Sequence, residues 1–200
     1  MGHILLAVLV RATATVTDID LHLRKPMRAL TSAGRVDSYR LGGQITGAWD
    51  PDYDPAADPA NWRPCATCGG STRLGRERCT SCADALQAGR PAGTVVVWFY
   101  GDWKPHPGDI VPLTRLLQPG WRFPKGRTPI AWVDLAGVVW LDTQTAILTG
   151  TDTGEVPPRL RQVLDDLLTA RRDPDPGRPK RARRPFNPAD WAVAVVDAHH

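Results

Sequence analysis

Cys65-Ala66-Thr67-Cys68 and Cys79-Thr80-Ser81-Cys82 hold all four cysteines of the chain, as two Cys-x-x-Cys pairs ten residues apart. No other stretch restricts the fold so tightly. A Cys-x-x-Cys turn aims two sulfurs at one point, so two such turns complete a tetrahedral shell about 2.3 Å from a single zinc ion. Two disulfides and a redox or iron–sulfur site compete with this reading. The paired spacing is the signature of a zinc ribbon or knuckle, and disulfides belong to oxidising compartments. We therefore expect Cys65, Cys68, Cys79 and Cys82 to ligate structural Zn2+. The gap is shorter than the usual ribbon spacing of about 15 to 20 residues, so the hairpin between the pairs must be tight. Gly69, Gly70 and Gly75 supply the permissive backbone that this needs. Four thiolates leave no coordination position for water, which makes the metal a scaffold and not a catalyst.

The chain of 200 residues suits one principal domain with a small insert. No run approaches the roughly 20 apolar residues of a membrane span. Residues 4–10 followed by Ala12-Thr13-Ala14 lack a basic flank and are interrupted by Arg11, so they read as a strand and not as a secretory signal. A cytoplasmic location is the expectation. Of 25 basic residues only Lys25, Lys104, Lys125 and Lys180 are lysine. Arginine in this excess, with 19 prolines, is the usage of a GC-rich coding sequence. The formal charge of +4 permits nucleic-acid contact without demanding it.

After His3, residues 4–10 form an uninterrupted apolar run of strand length, which predicts a central strand covered on both faces. Val16, Ile19, Leu23, Met27 and Leu30 mark one face of a helix, with Thr17 as its N-cap, Asp20 in the first turn and Pro26 as a kink or break. His22 falls on the solvated side. Residues 36–41 and 94–100 read as strands, and 130–133 with 138–141 as a hairpin. Residues 109–117 read as a short helix capped by Asp109. A last helix opens at Glu155 with its stripe on Val156, Leu160, Val163, Leu164, Leu167 and Leu168. Residues 191–198 close the chain as a second apolar strand, expected beside the first. The predicted class is α+β: a mixed β-sheet of five or six strands with two main helices, plus an inserted zinc ribbon or knuckle. Residues 1–49 and 94–200 would form the α+β domain, 50–93 an acidic loop and zinc-finger insert, and 173–190 a basic Pro-rich loop.

Few other residues suggest chemistry. Gly42-Gly43 fits a bulge better than a phosphate-cradling loop, because no Lys-Ser/Thr follows it. Asp50, Asp52 and Asp54 imitate the start of a calcium loop, but Pro55 and Asn61 occupy the positions that need Gly and Glu. His106 beside Asp109 is the one tempting acid–base pair, and no nucleophile signature accompanies it. Trp98, Trp132, Trp140 and Trp191 lie in strands and are expected in the core. Trp49, Trp62, Trp103 and Trp121 lie in loops, where they can stack on bases, anchor a partner or cover the sheet rim. Arg178, Lys180, Arg181, Arg183 and Arg184 concentrate five cations within seven positions, and Arg73, Arg76 and Arg78 repeat the theme at the finger tip. Such loops can serve as phosphate-binding arms or simply as solvated, charged surface.

The Cys65-Ala66-Thr67-Cys68-Gly69-Gly70 start resembles the cysteine-rich module of J-domain chaperones over about 18 residues, without its repeated Cys-x-x-Cys-x-Gly-x-Gly units. Across the whole chain, Tyr39-Arg40-Leu41-Gly42-Gly43, the cysteine-paired insert and the segment Pro107-Gly108-Asp109-Ile110-Val111-Pro112 resemble a group of small, uncharacterised actinobacteriophage proteins. That resemblance implies the architecture and no activity. The sequence favours a non-enzymatic zinc-binding accessory or regulatory protein that binds nucleic acid or a DNA-bound protein, such as a modulator of a recombinase, repressor or polymerase. A protein–protein interaction module without nucleic-acid contact is one alternative. The other is an enzyme with its site near Gly42, Gly43, His106 and Asp109.

Overall fold

A computed structural model describes residues 3–50, 52–97, 104–169, 171, 173–177 and 185–199. The elements in chain order are β1 (His3–Arg11), α1 (Ile19–Ser32), β2 (Ser38–Leu41), β3 (Trp62–Pro64), β4 (Arg73–Leu74), β5 (Glu77–Arg78), β6 (Thr94–Val96), β7 (Ile110–Pro112), α2 (Leu113–Leu116), β8 (Ala131–Asp134), β9 (Gly137–Trp140), α3 (Gln144–Leu148), α4 (Pro158–Leu168) and β10 (Trp191–His199). Two compact units result, Met1–Pro51 with Pro105–His200, and Asp52–Lys104. No helix among the described residues is long and apolar enough to cross a membrane.

The larger unit is α+β. Its six-stranded mixed sheet runs β2-β10-β1-β8-β9, with β7 pairing β10 alongside β2. The two apolar terminal strands form its centre. β1 and β10 pair antiparallel over their full length, from His3 opposite His199 to Arg11 opposite Trp191. β8 lies parallel to β1, and β9 returns antiparallel to β8. Both faces of this pair are covered, which explains why neither strand alternates polar and apolar residues. On one face Ile4, Leu6, Val8 and Val10 meet the Ile19, Leu23, Met27 and Leu30 stripe of α1. On the other, Leu5, Leu9, Val193 and Val195 pack with Leu160, Val163, Leu164 and Leu167 of α4. Ala7 leaves room for its cross-strand neighbour Trp132, which is fully buried. The Trp132 indole N–H donates to Asp134 Oδ2 at 3.1 Å, so its one polar atom is satisfied.

Several local expectations need correction. α1 starts at Ile19, one residue after Asp18, and continues through Pro26 without a break. Asp18 accepts from the Thr15 N–H and hydroxyl at 2.7 and 2.9 Å, so the preceding turn takes the carboxylate and Thr17 caps nothing. Asp109 belongs to a short 3-10 turn, residues 110–112 form β7, and only Leu113–Leu116 is helical. The reason is topological: β2 pairs β10 only over residues 196–199, leaving an open edge at 192–194 that β7 fills. Trp132, Trp191 and Trp49 are buried, whereas Trp140 on β9 is 37% exposed. Trp98 and Trp103 lie outside the described residues.

The smaller unit contains two short antiparallel pairs, β3 with β6 and β4 with β5. β6 is therefore part of the insert. It does not join the main sheet, as the expected boundary at residue 94 required, because β3 offers it an edge inside the insert. The remainder of the predicted 94–100 strand lies outside the described residues, apart from Val97.

Candidate metal centre

Each cysteine pair sits on a tight turn whose backbone hydrogen bonds close around the sulfur-bearing residues. The Gly70 N–H reaches the Cys65 carbonyl and the Ser71 N–H the Cys68 carbonyl, while the Ala85 N–H reaches the Cys82 carbonyl. Gly69 and Gly70 adopt φ of +58° and +83°, the left-handed conformations that let the first turn reverse at low cost. The two turns are joined by a hydrogen bond from the Thr67 hydroxyl to Ser81 Oγ at 3.1 Å. The β4–β5 hairpin spans the ten-residue gap, and the Cys79 N–H returns to the Thr72 carbonyl at 2.8 Å.

All four sulfurs converge within 4.8 Å of one another. Cys65 Sγ lies 3.8 Å from Cys79 Sγ, and Cys68 Sγ lies 3.7 Å from Cys82 Sγ. Four sulfurs placed tetrahedrally at about 2.3 Å from one ion stand about 3.8 Å apart. Sulfurs joined in a disulfide stand only about 2.05 Å apart. All four cysteines are free thiols, so the disulfide alternative does not hold. The arrangement fits one tetrahedral metal ion.

The Cys68 N–H directed at the Cys65 sulfur draws that thiol down to about 6. Burial pushes Cys82 up to about 12, and the neighbouring sulfurs add to the rise. Without a cation, the cluster gives up one proton easily and holds another firmly. A bound divalent ion is what allows four thiolates to share so small a volume.

The cysteine cluster is also the buried apolar cluster of this unit among the described residues. Cys65, Cys79 and Cys82 are buried, with Cys68 and Val95 packed against them. Gly93 closes the centre from the other side: its carbonyl accepts from the Cys65 N–H at 2.8 Å. Its φ is +79°, and a Cβ there would overlap the Gly70 carbonyl oxygen. Gly93→Ala should therefore destabilise the unit by about 1–3 kcal/mol. Faster release of the metal to a chelator than in wild type would be the readout, and an unchanged release rate would count against the close approach.

Arg73, Arg76 and Arg78 project from the hairpin and are exposed. Arg73 and Arg78 each also donate to a local carbonyl, of Arg76 at 3.4 Å and of Ala83 at 2.8 Å, which fixes their direction. A cleft beside Cys79 and Cys82 is lined by Thr72, Arg73, Arg78, Ala83, Leu86 and Gly93. A divalent ion with four thiolates carries two negative charges, so these guanidinium groups partly offset the centre itself. The second predicted basic cluster, Arg178, Lys180, Arg181, Arg183 and Arg184, lies outside the described residues.

In the larger unit, Gly42, Gly43, His106 and Asp109 do come together, though in a buried joint. Asp109 is fully buried; its Oδ1 accepts from the Gly47 N–H at 2.6 Å and its Oδ2 from the His106 N–H at 2.8 Å. The His106 ring accepts from the Gly108 N–H at 3.0 Å. A Cβ on Gly42 would overlap both Asp109 and Thr46, so the double glycine serves close approach of backbone to carboxylate. Each Asp109 oxygen is taken by a backbone donor: the His106 N–H closes the local turn, and the Gly47 N–H ties that turn to the loop after β2. Burial raises Asp109 to about 7, against the lowering effect of those two hydrogen bonds. A carboxyl raised above its unfolded value stabilises the fold fully below about pH 4, and that contribution fades as pH climbs toward 7. Wild type should lose roughly 2 to 3 kcal/mol from this group between about pH 5 and pH 7. Urea unfolding should show a shallower pH slope for Asp109→Asn over that interval; equal slopes would mean that Asp109 is ionised throughout.

Comparison with family models, curated proteins and solved structures finds no match to this chain. Its function has to be argued from its own residues.

Proposed function

We propose that the chain is a non-enzymatic accessory protein in which Zn2+ holds the cysteine unit and the arginine-bearing hairpin binds nucleic acid or a protein already bound to it. Zinc is the metal that a closed set of four thiolates suits best, since it needs neither an open position nor a redox partner. The reading is carried by one observation: Arg73, Arg76 and Arg78 stand exposed on the hairpin between the two cysteine turns. A short hairpin pinned at its base has little backbone entropy left to lose when its guanidinium groups bind phosphate. The Arg178 to Arg184 cluster would supply a second set of phosphate contacts, releasing counterions as the hairpin does. Such a protein would work in the cytoplasm, where thiols stay reduced. A phage-encoded modulator of a recombinase, repressor or polymerase is the context in which these features fit together.

The test is a gel shift with duplex DNA and with RNA across a salt series. Binding should weaken steeply with salt. Arg73→Ala, Arg76→Ala and Arg78→Ala together should make the salt slope shallower by about one for each phosphate no longer neutralised. No binding to either nucleic acid at low salt would reject the reading. It would favour the protein-interaction alternative, for which Leu74 and Leu86, 48% and 66% exposed beside the same arginines, are the anchors to examine. A patch of loop tryptophans is a weaker basis, because Trp49 is buried and packs against Trp121 and Phe123.

A further inference from the structure

We infer that His3, Asp197 and His199 form a second metal site, for a divalent transition ion, at one end of the central strand pair. It is independent of the cysteine centre and of the proposed nucleic-acid role. The full-length β1–β10 register sets His3 directly opposite His199. Asp197, two residues before His199, projects from the same face of β10. One donor atom from each of the three side chains falls within 4.8 Å of the others. The two imidazole rings are in edge contact, with centroids 3.9 Å apart.

Four features separate this cluster from a casual surface contact. First, Asp197 is a buried carboxylate, 1% exposed, fixed from behind by the Gln44 N–H donating to its Oδ2 at 2.8 Å. Second, the carboxylate rests against Gly43, where any Cβ would overlap it, so the backbone sets its position. Third, His3 Nδ1 stands 2.9 Å from Asp197 Oδ1. Two ligands at right angles, as in octahedral or square-planar coordination, each about 2.1 Å from one ion, are about 3.0 Å apart, so little movement is needed to admit such an ion. Fourth, the Gln44 side-chain amide lies 2.6 Å from His3 Nε2. With its nitrogen toward the ring, the amide donates to Nε2 and leaves the proton on Nδ1, facing Asp197. Turned over, its oxygen accepts from Nε2–H and frees the Nδ1 lone pair for a metal. Such outer partners fix the tautomer of metal-binding histidines.

Two imidazoles and one carboxylate suit Zn2+, Ni2+, Co2+ or Fe2+ and exclude the all-oxygen preference of Ca2+ and Mg2+. Three protein ligands also leave coordination positions for water or a small anion, unlike the closed cysteine shell. His3 is exposed, which gives an ion a path from solvent.

The test uses full-length protein with the cysteine centre already loaded with zinc, in a His200→Ala background that removes the adjacent histidine pair. Calorimetric titration with Ni2+ should show one further equivalent bound. His3→Gln with His199→Gln should weaken that binding at least tenfold and leave the thiolate-bound zinc in place. Co2+ should broaden the Gln44 amide resonance in the parent protein and not in the double variant. No additional equivalent, or an affinity unchanged in the double variant, would overturn the site and leave His3 and Asp197 as a hydrogen-bonded pair only. Since the substituted histidines lie at the end of the strand pair, this comparison does not depend on Asp197 variants folding.

Discussion

Cys79→Ser should release the metal and unfold the unit spanning Asp52–Lys104, while the six-stranded unit keeps its structure. Among the described residues, the buried apolar cluster of the smaller unit consists of the cysteines themselves with Val95 packed against them. Structural zinc in units of this size contributes an apparent ~10–16 kcal/mol, more than the remaining contacts of two short strand pairs can replace. Cys79 is fully buried, so the serine hydroxyl would stay at the centre as a poor ligand without room for relaxation. Hydrogen exchange gives the clearest readout. The Cys65 amide bonded to Gly93 and the Cys79 amide bonded to Thr72 should lose protection together, and excess chelator on wild type should reproduce the pattern. Protection retained at both amides after metal removal would mean that the polypeptide holds the unit without an ion.

The second large effect belongs to the sheet. Trp132→Ala should cost about 3–5 kcal/mol, because it empties the largest fully buried side-chain site among the described residues. Ala7 on the adjacent strand cannot expand to fill the space, and Leu5 and Leu9 flank it on the same face. Asp134 would also lose the indole donor at 3.1 Å, although the Ala136 N–H continues to donate to its other oxygen. Denaturant unfolding followed through the larger unit should show the lowered midpoint with little change in slope. A loss below about 1 kcal/mol would show that the site collapses readily, contrary to the tight complementarity between Trp132 and Ala7.

Both the cysteine turns and the central strands can be read from the sequence. The cysteine turns are legible because spacing alone dictates that four sulfurs can meet. The terminal strands are legible because a long apolar run has no stable place except a sheet covered on both sides. Strand partners are harder to read. Thr94, Val95 and Val96 have evident strand character, yet nothing local says that Trp62-Arg63-Pro64 is their partner. Residues 110–112 pair with β10 only because β2 is short, a fact about a distant element. The His3, Asp197 and His199 cluster is invisible in the sequence for the same reason. His3 and Asp197 stand 194 positions apart, and only the register of β1 on β10 brings them to one point. Adjacent strands can be expected from composition, but a slip of one residue would send Asp197 to the opposite face.

X-ray absorption at the zinc edge tests most directly whether four thiolates hold a single ion. Protein purified under reducing conditions with one equivalent of zinc should show a first shell of four sulfurs at about 2.3 Å. A shell containing nitrogen or oxygen, or no zinc retained at all, would contradict it.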